Sequence, residues 1–105
     1  MKVTGWNSGS PNNRTGAGYG IRIMREDRDR YFDKAWPLVT IELDNRDLVG
    51  VKLSNSFWGG CTELRNAKIG KWMLDRGLAP WPKGSPPNLK LEPIGNRKFR
   101  LMITD

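Results

Sequence analysis

Histidine is absent from the 105-residue chain, and there is only one cysteine, Cys61. The first absence removes the commonest general base, histidine-containing metal sites and the usual serine and cysteine triads. The second rules out an internal disulfide or a cysteine cluster, so the fold must rest on its apolar residues, which suits a reducing cytosol. Cys61 stands between Gly60 and Thr62 with no imidazole to activate it, and reads as a small packing residue. Long apolar runs are also missing: no stretch approaches a membrane span, and Met1 to Tyr19 lacks the apolar centre of a secretory leader. Acid is scarce in one half of the chain. Seven of the eleven acidic residues lie between Glu26 and Asp47, whereas residues 48–105 carry ten basic residues and four acids. A metal-dependent nuclease needs converging carboxylates, and Glu63, Asp75, Glu92 and Asp105 are too few and too scattered to promise them. The expectation is a soluble, noncatalytic protein without cofactor or metal.

Basic charge, by contrast, is plentiful. The net charge is +7 and the pI about 10, an excess that favours a polyanionic partner and belongs mainly to the C-terminal half. The length fits one domain with a single modest core.

The apolar pattern is mainly that of strands. Tyr19, Ile21 and Ile23 alternate with Gly20, Arg22 and Met24, which puts Arg22 on the outward face as a candidate nucleic-acid contact. Val39, Ile41 and Leu43 alternate with polar residues, as do Val49, Val51 and Leu53, and the turn Asp44-Asn45-Arg46-Asp47 joins them as an antiparallel hairpin. Leu89 and Leu91, a turn at Gly95-Asn96, and Phe99, Leu101 and Ile103 predict a closing hairpin, and Lys2 to Trp6 an initial strand. Two short helices are expected. Arg25 to Ala35 has the mixed charges of a solvated helix, ended by Pro37. Ala67 to Arg76 has an apolar stripe of Ile69, Trp72 and Met73, with Asn66 as N-cap and Gly77 closing the end. From Leu78 to Pro87 the prolines around Trp81 predict a stiff connector, one that can fold Trp81 back on the core. A sheet of this size hides its edges by curling, so the expected fold is mainly β (α+β), an open seven-stranded pseudobarrel with two short helices.

Two polar connections carry the side chains suited to nucleic acid. The first, Asn7 to Ala17, offers Ser8, Ser10, Asn12, Asn13, Arg14 and Thr15; its composition equally fits a mobile tail. The second, Asn55 to Asn66, offers Asn55, Ser56, Thr62, Glu63, Arg65 and Asn66, followed by Lys68 and Lys71 at the start of a helix. Arginine forks and asparagine amides read guanine and adenine edges, glutamate accepts from a cytosine amine, and lysines and helix N-terminal amides hold phosphates. Glu63 is equally suited to pair with Arg65. Trp58 is either a packing residue or a stacking platform. The glycines of Gly16-Ala17-Gly18-Tyr19-Gly20 precede a strand instead of joining a strand to a helix, unlike a phosphate loop.

The order of these pieces resembles the DNA-binding pseudobarrel found in plant transcription factors and in effector or recognition domains of some restriction endonucleases. Tyr19-Gly20-Ile21-Arg22-Ile23 leading into a helix, and Ser56-Phe57-Trp58 followed by Lys71-Trp72-Met73-Leu74-Asp75-Arg76-Gly77-Leu78, carry the likeness, and nearly the whole chain takes part. The proline-rich Pro80 to Pro87 departs from it, since that turn is usually simple and acidic in the family. The resemblance implies that the two polar connections act as arms gripping the major groove of double-stranded DNA, in a restriction or transcription-regulatory system. The expected place is the cytoplasm, at the nucleoid in a bacterium or the nucleus in a plant. Binding of RNA or single strands through exposed aromatics, and protein docking on the proline-rich connector, are the alternatives.

Overall fold

A computed structural model describes residues 1–104; Asp105, one of the four acids of the basic half, lies outside them. Seven strands form one sheet in the order β4-β3-β7-β6-β1-β2-β5, with β1 Lys2–Asn7, β2 Tyr19–Arg22, β3 Leu38–Glu42, β4 Leu48–Lys52, β5 Glu63–Arg65, β6 Asn88–Gly95 and β7 Lys98–Ile103. All neighbours are antiparallel except β3 and β7, which run parallel. The outermost strands, β4 and β5, curl toward each other. Asn66, just after β5, donates from Nδ2 to the Gly50 carbonyl of β4 at 3.2 Å, so the sheet is nearly closed and its two edges shield one another.

The alternation read from the sequence sets which side chains fill the interior. Val3, Ile21, Val39, Ile41, Val49, Val51, Leu64, Leu89, Leu91, Phe99 and Leu101 point inward and are buried. Two helices fall where expected, α1 over Arg25–Tyr31 and α3 over Ala67–Asp75. The first ends earlier than the charge pattern suggests, because Phe32 turns extended and stacks on Phe99 with ring centroids 4.6 Å apart. The second inserts Ile69, Trp72 and Met73 into the core and closes at Gly77, whose φ of +71° is a backbone setting that favours glycine.

Two local readings change. The arm from Asn55 to Asn66 is no open loop: it holds a one-turn helix, α2 (Asn55–Trp58), capped by Ser54, and then β5. Phe57 is the reason, for it is buried against Phe32 and pulls the arm onto the core. The last hairpin turns at Asn96-Arg97, one residue later than Gly95-Asn96, with Arg97 at φ +56°. A register shift between Pro93 and Gly95 takes up the extra residue where proline lacks a ladder donor. The proline-rich connector folds back over one end of the sheet: Gly5 donates its N–H to the Pro87 carbonyl at 2.9 Å, and Trp81 packs edge-on against Tyr19, centroids 5.6 Å apart.

Candidate nucleic-acid interface

The β1–β2 connection, residues 8–18, is a built loop rather than a tail. Asn12 accepts at Oδ1 from the backbone N–H groups of Arg14 and Thr15, at 2.8 and 2.9 Å, and its own N–H reaches the Ala17 carbonyl at 2.8 Å. Thr15 and Ser8 accept at their hydroxyls from the N–H groups of Ala17 and Ser10. Asn13 accepts from the buried Tyr19 hydroxyl. Burial raises the Tyr19 pKa above its ordinary value near 10. The loop is pinned to α3 by two glycines: a Cβ on Gly70 would lie 2.1 Å from the Gly16 carbonyl oxygen, and one on Gly16 would lie 2.3 Å from the Ala67 carbonyl oxygen. Four of the side chains proposed from sequence as readers of bases, Ser8, Asn12, Asn13 and Thr15, thus help hold the loop's shape. Ser10 and Arg14 remain exposed, and Arg14 makes no ion pair with a described residue.

The β4–β5 connection is fixed by a residue that sequence reasoning placed on a solvated face. Arg28 of α1 is only 8% exposed, and its Nη1 donates to the carbonyls of Phe57 and Gly59, both at 3.0 Å. Its Nε pairs with Asp29 at 2.9 Å. The guanidinium thereby holds the C-terminal end of α2, where carbonyls lack helical partners. Trp58 is half-buried on Phe57, with the Arg28 and Lys34 cations 5.6 and 6.0 Å from its ring centre. Packing is the reading that the geometry favours. Ser56 is exposed but bonded to Ser54 through the hydroxyls at 2.8 Å, and Asn55 is exposed. Thr62 is buried, contrary to the exposed role expected of it, because its carbonyl accepts from Ile23 and continues the β2–β5 ladder. Asn66 is engaged as cap and bridge, accepting from the Lys68 N–H at 2.8 Å.

Between the two connections lies the outer face of β1, β2 and β5. Thr4, Arg22 and Glu63 form one cross-strand row; Trp6, Gly20 and Arg65 form the next. Gly20 leaves a gap in its row, and the Arg65 guanidinium lies over the Trp6 ring at 4.7 Å. Glu63 sits between two arginines, 3.8 Å from Arg22 Nε and 3.7 Å from Arg65 Nη2; its side chain is 7% exposed, theirs 58% and 53%. Past the Arg22 end, a shallow groove of about 290 Å³ is lined by Lys2, Thr4, Arg22, Met24, Arg25 and Thr62 among others. Past the other end come the loop that carries Arg14 and, packed on its Gly16, the start of α3, whose Lys68 and Lys71 line a groove with Asn45, Asp47 and Leu48 of the β3–β4 hairpin; Lys71 pairs with Asp75 at 3.0 Å.

The connections leave β2 and β5 at opposite ends: the loop of residues 8–18 at Tyr19, the α2 arm at Arg22 and Glu63. Four residues at roughly 3.3 Å each place their roots roughly 10–13 Å apart. Trp6, Lys2 and Arg25 were not among the residues singled out from sequence. Arg22 and Arg65 were, and the register brings them together. No group of three or more acids, cysteines or histidines able to hold a metal occurs among the described residues, and no helix is long and apolar enough to cross a membrane. No family model, curated protein or solved structure matches the chain.

Proposed function

We propose that this protein is a noncatalytic double-stranded DNA-binding domain that seats the outer face of β1, β2 and β5 on the major groove, with the two connections as arms along its rims. In this reading it is a member of the pseudobarrel family that its element order resembles, serving a restriction or regulatory system. The observation that carries the proposal is the placement of both arms at opposite ends of the short β2–β5 pair, β2 being four residues long and β5 three. Their spacing is close to the roughly 12 Å width of the groove. The charges follow the same plan. Arg22 and Arg65 occupy the floor, Lys2 and Arg25 one rim, Arg14 the other with Lys68 and Lys71 on its α3 flank toward the β3–β4 hairpin, as phosphate contacts at the edges and base contacts in the middle require. Single-strand binding would call on open aromatic platforms, whereas Trp58 and Trp81 are packed on Phe57 and Tyr19.

The test is fluorescence anisotropy with labelled duplex, single-stranded DNA and RNA at two salt concentrations. The expected result is preference for duplex and an affinity that falls steeply with salt. Salt-insensitive binding, or an advantage for either single strand, sinks the proposal.

A further inference from the structure

Among the described residues, Glu63 is the one acid on the outer face of β1, β2 and β5, and its surroundings are unusual for an ion pair. Its side chain is only 7% exposed, yet the carboxylate oxygens accept no hydrogen bond from a described residue and keep a narrow access to water; Arg22 and Arg65 flank them at ion-pair distance only. Both arginine side chains keep more than half their surface open. Two arginines that neutralised a buried carboxylate for stability alone would close on it in forked hydrogen bonds, since the direct contact is the stronger one. Here they stand off at 3.8 and 3.7 Å, and the Arg65 guanidinium also lies over the Trp6 ring.

We infer that Arg22, Glu63 and Arg65 form a base-reading element in which Glu63 is a positioning residue and the two arginine forks select guanine in the major groove. The inference rests on the duplex-binding reading above. A planar guanidinium presents two parallel donors that match guanine O6 and N7, the pairing that other base pairs cannot offer. The carboxylate between them offsets the mutual repulsion of two cations and fixes the direction of each. Spacing narrows the target. Arg22 and Arg65 are diagonal neighbours across the β2–β5 pair, roughly 7–8 Å apart at the backbone. Base pairs follow one another at about 3.4 Å, so the two forks address guanines within about two steps of each other.

The experiment starts from sites enriched from random duplexes by the wild-type protein, read by anisotropy. In the best site each guanine is then replaced singly by 7-deazaguanine, which keeps Watson–Crick pairing and removes only the N7 acceptor. Expected are two sensitive positions within about two steps, each losing roughly fivefold or more in affinity. Arg22→Ala should abolish the penalty at one position and Arg65→Ala at the other. Glu63→Gln keeps shape and removes charge; it should shrink both penalties while leaving binding to random duplex equal or tighter, a split that mere loss of structure would not produce. Because the base substitutions use the unaltered protein, a poorly folded variant does not blunt the test. Duplex binding with no 7-deazaguanine-sensitive position overturns this inference alone. Absence of duplex binding overturns the parent reading with it, and unchanged penalties in Glu63→Gln remove the role assigned to the carboxylate.

Discussion

Arg28 shows what a single side chain does here that local sequence cannot reveal. Along the chain it belongs to Arg25-Glu26-Asp27-Arg28-Asp29-Arg30, whose alternating signs read as a surface in water, and most of that helix is indeed exposed. Its real partners are two carbonyls about thirty residues away, a pairing that exists only once α1 and α2 are packed. Replacing Arg28 with Met leaves the Phe57 and Gly59 carbonyls without this donor and should cost about 1–3 kcal/mol in urea unfolding. Arg28→Lys should recover only part of it, because one ammonium placed at the two carbonyls cannot also supply the second donor that Nε gives Asp29. An Arg28→Met protein as stable as wild type would show that water replaces the guanidinium at no cost. The opposite error came from Thr62: a hydroxyl in a polar run looks like a contact residue until the ladder to Ile23 buries it.

At the scale of elements, the loop of residues 8–18 separates what composition says from what geometry does. Its Gly, Ser, Asn and Thr residues suit both a disordered tail and a tightly hydrogen-bonded loop. The decision lies with Tyr19 and the Gly16–Gly70 crossing, contacts that involve β2 and α3. Gly70→Ala places a methyl against the Gly16 carbonyl, and should cost about 1–3 kcal/mol while lifting the loop from the helix. Limited proteolysis between residues 9 and 15 would detect the release; an unchanged cleavage rate would count against the pinning. Tyr19 adds a pH dependence of known sign. Its folded pKa is raised by burial above the ordinary value near 10, so the folded state holds the proton more tightly than the unfolded one. The stability it contributes is present below about pH 10 and falls as pH rises through the folded pKa. Wild type should lose stability in that alkaline window, and Tyr19→Phe should lose less there while giving up about 0.5–1.5 kcal/mol at neutral pH for the lost bond to Asn13. Identical alkaline profiles would show that another group titrates.

For the whole molecule, the period-two alternation of Ile21, Val39, Ile41, Val49, Val51, Leu89 and Leu101 was enough to read the sheet, because a strand with one buried face leaves that mark whatever its partners are. Strand order and near-closure left no such mark: the parallel β3–β7 contact and the Asn66–Gly50 bridge join segments far apart in sequence. The candidate face was legible only in part for the same reason, since Arg22 and Arg65 become neighbours through the β2–β5 register, and Lys2 meets Arg25 at the rim through the β1–β2 pairing. Charge is the property of the whole that function would use. Five exposed cations, Lys2, Arg14, Arg25, Lys68 and Lys71, stand at the rims of the proposed interface. If each displaces counterions from one phosphate, log K against log salt should fall with a slope of about −4.5, at about −0.9 per contact. Lys68→Ala should reduce that slope by about 1 and weaken all duplex sequences alike. Lys71→Ala should change it by less, because its ammonium already pairs with Asp75 at 3.0 Å and must leave that carboxylate to reach a phosphate. Anisotropy titrations from low to moderate salt measure all three slopes; a wild-type slope shallower than about −1 would mean that these rim cations do not meet the DNA backbone.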